Sequence, residues 1–406
     1  MSLAKRTIRD IAVDRRTVLV RADYNVPLRD GQISDDFRIR ASLPTLRYLL
    51  KRGARVVIIS HLGRPKGRDA SFSLEVVGER LAELLERKVT FVEDCIGDKV
   101  KVAVKKAPMS SVTLLENLRF YEEEEKNSQA FARKIAEATG ARLFVQDGFG
   151  VVHRAHASTV AITNYIPSVA GLLLEKEYNK ITNAIEKPRR PLLAIIGGAK
   201  ISDKIGVIKR FVEIADKVLV GGAMANTFLE YKGYKMGASV REKGQGSVLD
   251  DIYITANQKD EASVEDFIVL PTDVAVAKEP TESAKRHNVK LGSVAPGDKA
   301  LDIGDASVER FVEEIKKAKT VIWNGTLGFA ELPEFAHGSA RVALALASQP
   351  ETDSIIGGGD TADFVLKWSD GDEKGFTHLS TGGGASLELM AGKKLPGIEC
   401  LLDAPK

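Results

Sequence analysis

Cysteine is nearly absent: Cys95 and Cys400 are the two in 406 residues. That excludes a disulfide framework and suits a reducing compartment. Neither has a second Cys or a His at metal-ligand spacing, which argues against structural zinc. An excess of charge of one sign is also missing, since 59 Lys and Arg stand against 56 Asp and Glu, a net +3. So balanced a chain lacks the basic footprint of a nucleic-acid binder. No apolar run approaches the roughly 20 residues that span a bilayer. The opening "MSLAKRTIRDIAVDRR" has no apolar signal-peptide core. The expectation is a soluble, cytoplasmic protein with no nucleic-acid or membrane partner. Three catalytic signatures are missing too. There is no G-x-S-x-G elbow, no G-x-x-x-x-G-K-[ST] and no strand-linked G-x-G-x-x-G. Nucleophilic hydrolysis, the P-loop and the usual dinucleotide fingerprint fall away with them.

What is present is a long alternation. The chain exceeds what one core usually supports, so two domains are expected. Apolar, β-rich runs at 17–22, 55–60, 89–94, 112–117 and 142–147 are each followed by a helical pattern. The second half repeats this at 192–197, 217–222, 267–271, 320–325, 354–359 and 377–382. Continuous apolar strands alternating with helices predict parallel sheets covered on both faces, hence two doubly wound α/β halves. Between them, "SVAGLLLEKEYNKITNAIEKP" predicts a connecting helix with Ser168 as N-cap, stopping before Pro188. Leu174, Tyr178, Ile181 and Ile185 step along one face of it. The acidic run Glu122–Glu125 is expected as a solvated helix start.

Ligands of open α/β sheets sit beyond the carboxyl ends of the strands. In the first half those positions carry Asp23, Asn25, His61, Arg64, Arg119 and Arg154, with Arg38 just beyond the first loop. Guanidinium groups bind carboxylate and phosphate in bidentate fashion, so converging arginines suit a small, multiply charged anion. In the second half the strand ends are glycine clusters: "GGAK" (197–200), "GGAM" (221–224), "GGGDTA" (357–362) and "STGGGAS" (380–386). Glycines between strand and helix let backbone N–H groups approach phosphate, which points to a nucleotide. Lys200 and Lys204, four apart, are expected on one face of an opening helical turn. Asp360 is either an N-cap or an oxygen ligand for Mg²⁺.

Nine motifs occur in order: "RADYNVP", "SHLGRP", "LLENLRF", "HRAHAS", "GGAKISDKI", "GGAMANTFL", "TVIWNG", "GGGDTA" and "STGGGASLE". Together they resemble phosphoglycerate kinase, from about residue 7 to about residue 403. The resemblance implies two Rossmann-like domains joined by a hinge helix. Residues 1–168, with the tail 393–406 packing back on them, would bind 3-phosphoglycerate; 169–187 would be the inter-domain helix and 188–392 the nucleotide domain. It implies reversible transfer of a phosphoryl group between 1,3-bisphosphoglycerate and ADP, giving 3-phosphoglycerate and ATP, with Mg²⁺, in a monomer that closes about its hinge. By the same resemblance Asp23 and Asn25 hold the glycerate, and Arg38, His61, Arg64, Arg119 and Arg154 its phosphate and carboxylate. Arg38, Lys200 and the helix opening at Gly382, Gly383 and Gly384 serve the transferring group. Lys204, Gly222, Asn324, Gly358, Gly359 and Thr361 are implied around the nucleotide phosphates, Glu331 at the ribose and Asp360 on Mg²⁺. His153 and His156 are read as anion-binding or packing groups. Departures from the family pattern are Thr326 after "WNG", Gln146, Tyr24 and Ala300. The alternatives are a catalytically silent scaffold, which would be expected to lack Lys200, Arg38 or Asp360, and a dinucleotide-dependent dehydrogenase, which would need the absent fingerprint.

Overall fold

The computed structural model describes residues 2–259 and 263–405. The chain divides into two units, Ser2–Asn179 with the segment from Lys394 onward, and Lys180–Lys393.

The first unit begins with β1 (Thr17–Arg21), a short hairpin of β2 (Leu28–Arg29) and β3 (Gln32–Ile33), and β4 (Arg55–Ile59). It continues with β5 (Val89–Val92), β6 (Val112–Leu115), β7 (Leu143–Gln146) and β8 (Ser168–Ala170). Apart from the hairpin, these strands form one six-stranded sheet in the order β5-β6-β4-β1-β7-β8, and every pairing is parallel. The side-chain alternation of a strand explains why the runs are apolar throughout. Val18 and Val20 of β1, with Val56 and Ile58 of β4, pack into one core layer. Leu19, Val57 and Ile59 pack into the other. Neither face of these strands meets water.

In the second unit β9 (Leu192–Ile196), β10 (Lys217–Val220), β11 (Ile268–Val269), β15 (Thr320–Asn324), β16 (Asp353–Gly357) and β17 (His378–Leu379) form another parallel sheet. Its order is β11-β10-β9-β15-β16-β17. Counted within the sheet this is third, second, first, fourth, fifth, sixth, the doubly wound order whose direction reverses between β9 and β15. A separate antiparallel sheet of β12 (Asp273–Ala277), β13 (His287–Lys290) and β14 (Lys299–Ile303) was not anticipated. β13 is mostly exposed, so it lacks the apolar run by which the other strands were recognised.

The connecting helix needs a correction. It spans Leu172–Glu186, and Ser168 is no cap but the first residue of β8. The helix start is held instead by residues distant in sequence. Asp147 Oδ1 accepts the Leu173 N–H at 3.0 Å, and Thr45 Oγ1 accepts the Leu172 N–H at 3.0 Å while donating to Asp147 at 2.9 Å. The segment after residue 393 runs alongside the first unit. Arg6 N donates to Leu402 O at 2.8 Å, Leu402 N to Ser168 O at 3.0 Å, and Gly397 N to Val152 O at 2.9 Å.

Candidate functional site

β1 is where the strand order of the first sheet reverses, and the loops after β1 and β4 are tied together there. Asp23 is buried; its Oδ1 accepts the Asn25 N–H at 3.2 Å, and its Oδ2 lies 3.6 Å from Arg38 Nη1. Arg38, in the first turn of the helix Phe37–Lys51, donates to Asn25 O at 2.8 Å. Asn25 Oδ1 accepts the Gly63 N–H at 2.8 Å, and Gly63 O accepts from Arg119 Nη1 at 2.7 Å. The loop His61–Arg64 is therefore held from two sides. Arg119 is aimed by Asn117, which caps the short turn Leu118–Phe120.

The electrostatics group the expected residues together. Burial lowers the Arg119 pKa, Glu125 opposes, and Arg154 and Arg64 press it down further. Burial holds His61 well below its ordinary value of 6.5, and Arg21, Arg119, Arg38 and His156 add to the effect. His156 falls to about 4, from burial first and then from Arg21, Arg119 and Arg154. Arg64 and Arg154 are exposed, so their charges face solvent where an anion would arrive.

Two residues here escaped the sequence reading. Arg21, at the end of β1, is buried, and Glu124 is completely so. The expectation of a solvated helix start at Glu122–Glu125 is thereby corrected: the segment is a turn, and Glu124 folds inward to accept the Ser158 N–H at 3.0 Å and its hydroxyl at 2.5 Å. The available signal was Arg21 itself, an arginine closing an otherwise apolar strand, because a charge buried there must be paired.

In the second unit three strand ends are stitched into one cradle. Gly197 N donates to Asn324 O at 2.9 Å, Gly198 N to Thr326 O at 2.9 Å, and Gly222 N to Leu327 O at 2.8 Å. Such proximity excludes side chains. A Cβ on Gly325, whose φ is 98°, would stand 2.2 Å from Gly197 O. Lys204 reaches into this cradle, donating to Gly197 O at 2.9 Å and approaching Asn324 O at 3.4 Å. Burial draws its pKa down to about 8, with Asp360 and Asp203 opposing. It lies at the ends of β9 and β15, on the order reversal.

Lys200 and Lys204 do not share a helical face. Residues 202–204 form a turn that closes Lys204 N on Ile201 O at 2.9 Å, and the helix begins at Ile205. Lys204 is thereby folded back while Lys200 stays exposed. Asn324 is buried, and neither of its amide atoms has a partner among the described residues. Thr361 is buried also, with its hydroxyl accepting the Gly325 N–H at 2.7 Å. Asp360 is not an N-cap; Gly358 holds that position on the helix Gly359–Trp368, and Asp360 is exposed in the first turn. Gly383 and Gly384 open the helix Gly383–Met390, and Glu331 is exposed beyond β15. Among the described residues no three His, Cys, Asp or Glu side chains converge to hold a metal by themselves. A single carboxylate such as Asp360 fits Mg²⁺, which takes most of its ligands from phosphate and water.

Two doubly wound sheets, one ending in arginines and the other in a glycine cradle with a buried lysine, define a two-unit α/β class. The family model described as phosphoglycerate kinase matches residues 8–393. A phosphoglycerate kinase of Dictyoglomus turgidum is 46% identical over 404 residues, 99% of this chain and 100% of the relative. The solved phosphoglycerate kinase of Coxiella burnetii superposes with a TM-score of 0.83 at 33% identity, covering 98% of each chain. That of Pyrococcus horikoshii gives 0.84 at 33% identity over 97% of this chain and 98% of its own. The chain belongs to the phosphoglycerate kinase family.

Proposed function

We propose that the protein is a kinase that moves a phosphoryl group reversibly between 1,3-bisphosphoglycerate and ADP, yielding 3-phosphoglycerate and ATP. The observation that carries this reading is the gathering of Arg38, Arg64, Arg119 and Arg154 around one set of strand ends, in a chain of this family. Asp23 and Asn25 hold the glycerate, and the arginines with His61 its phosphate and carboxylate. The glycine cradle with Gly222, Gly358, Gly359, Asn324 and Lys204 takes the nucleotide phosphates, and Glu331 the ribose. Thr361 supports that cradle by fixing Gly325.

Phosphoryl transfer asks mainly for position and charge neutralisation. Arg38 and Lys200 neutralise the group in flight, and the N–H groups of Gly383 and Gly384 at a helix N-terminus add fixed donors. Asp360 would hold Mg²⁺, which supplies further neutralisation at the nucleotide phosphates. The acceptor is already a carboxylate or a phosphate oxygen, so no general base is required. Ligand sites on separately folded units must approach each other for transfer; small-angle scattering checks this, and no compaction with both substrates present would count against it. The same reading has the enzyme act as a cytoplasmic monomer.

The test is Mg-ATP-dependent phosphorylation of 3-phosphoglycerate, coupled through glyceraldehyde-phosphate dehydrogenase to NADH oxidation, with Lys200→Ala alongside. Turnover in the wild type and its loss in the variant are expected. Ligand binding without turnover in the wild type would turn the reading into that of a silent scaffold.

A further inference from the structure

Arg21 has no place in the scheme above, yet it is a fully buried guanidinium next to the arginine cluster. Its hydrogen bonds have fixed directions, because a guanidinium can only donate. Nε donates to Ser158 Oγ at 2.8 Å, so the single hydroxyl proton of Ser158 goes to Glu124 Oε1 at 2.5 Å. Nη1 donates to Ala22 O. Nη2 meets His61 Nδ1 at 3.2 Å. His61 Nδ1 must accept there, which leaves its one ring proton on Nε2.

The groups around His61 agree with this. Arg38, Arg119 and His156 face it from three further elements, and all of them oppose a charge on the imidazole. The nearest carboxylate, Asp23, lies 4.0 Å from Nδ1, beyond hydrogen-bond reach, and that same Oδ1 already accepts the Asn25 N–H. Glu124 compensates Arg21 at 4.0 Å and lies 3.8 Å from His156. The negative charge is thus placed behind Arg21 and does not reach His61 directly.

We propose that Arg21, held in place by Glu124 through Ser158, is a positioning residue that locks His61 as the neutral Nε2–H tautomer, so that the site meets phosphoglycerate at this point with an N–H dipole and no imidazolium charge. The inference rests on the phosphoglycerate reading of the site. It assigns Arg21, Ser158 and Glu124 a role in substrate binding without contact to the substrate.

The experiment uses the full chain with ¹⁵N-labelled histidine. The His61 ring is assigned by the loss of its signals in His61→Gln, and its nitrogens are followed between about pH 5 and 8. Expected in the wild type is a protonated Nε2 and a bare Nδ1 throughout. In Arg21→Met burial, with Arg38 and Arg119, still holds the ring below its ordinary pKa, but Nδ1 has lost its fixed donor and the proton should distribute between Nδ1 and Nε2. Calorimetry with 3-phosphoglycerate then gives a ratio of variant to wild-type Kd, which cancels the titration of the ligand itself. That ratio should stand at roughly fivefold throughout this range, the loss of one fixed hydrogen-bond donor to the ligand. Should Arg21→Met not fold, Ser158→Ala keeps both charges and is expected to mix the two tautomers. A wild-type ring doubly protonated at pH 6, or protonated on Nδ1, overturns the proposal. An unchanged ring spectrum in Ser158→Ala removes Ser158 and Glu124 from it. Failure of wild-type protein to bind 3-phosphoglycerate overturns the ligand assignment instead, while the ring spectrum still decides the tautomer.

Discussion

Lys204 holds an ammonium against two backbone carbonyls in a site that burial makes unfavourable for charge, which draws its pKa down to about 8. If this charge holds nucleotide phosphate, nucleotide affinity should fall as pH rises through about 8, and Lys204→Met should bind weakly with that dependence gone. Calorimetry with ADP at pH 7 and pH 9 reads both; an unaltered slope in the variant would remove Lys204 from the phosphate site. Individual charges were the most legible part of the sequence when they followed a strand. His61, Arg119 and Asp360 could be picked out by that position alone. Glu124 could not, because its burial depends on Ser158 and Arg21, which reach it from 34 and more residues away. The difference between exposed Lys200 and buried Lys204 comes from a turn whose closing bond no periodicity reveals.

Among the elements, strands were recognised where both faces are apolar, and helix starts where the cap is local. The helix Leu172–Glu186 fails the second condition, since its first N–H groups are taken by Thr45 and Asp147. Burial raises the Asp147 pKa to about 7, with the hydrogen bonds from Thr45 and Leu173 only partly opposing. The native state therefore keeps a proton that the unfolded chain releases near pH 4, and this contribution to stability falls between about pH 4 and pH 7. Asp147→Asn should remove the loss. Its stability relative to the wild type should rise with pH across that window, on the order of 1 kcal/mol per pH unit at most. Urea midpoints at pH 5 and pH 8 check it, and a constant difference would contradict the shift. Gly325 offers a second case. Its φ of 98° and the 2.2 Å approach to Gly197 O leave no room for Ala. Gly325→Ala should destabilise by about 1–3 kcal/mol and weaken nucleotide binding, and urea unfolding with ADP titration measures both. Wild-type values in both assays would mean that the cradle is far more pliable than its contacts indicate.

At the scale of the whole molecule, the alternation of apolar strand and helix was enough to read two doubly wound sheets. Strand order was not, because it depends on pairings between residues far apart, such as Thr320 with Leu192. The antiparallel sheet was missed for a different reason: β12 is buried and apolar, but it is followed by the exposed β13 and by β14, which carries Lys299 and Asp302, with no helical pattern between them. If each unit carries one ligand, each ligand should protect its own unit from hydrogen exchange. At about a hundred times Kd the stabilisation is about 2.7 kcal/mol, roughly a hundredfold slowing of exchange by global opening. Mass spectrometry should find 3-phosphoglycerate slowing amides of β1, β4 and β7, and ADP those of β9, β15 and β16. Reversed or uniform protection would undo the assignment of ligands to units.

The strand of chain from Lys394 onward, bonded to Arg6, Val152 and Ser168, also bears on biosynthesis. A ribosome delivers residues 2–179 first and the pieces that complete them only after the whole of 180–393 has emerged. The earlier half must wait, with backbone partners at Arg6 and Ser168 unmet, while its neighbour is made and is free to fold. Assembly of the arginine-bearing unit is thus timed by the translation of the glycine-cradle one, and a stall anywhere in between leaves a nascent chain with an open seam.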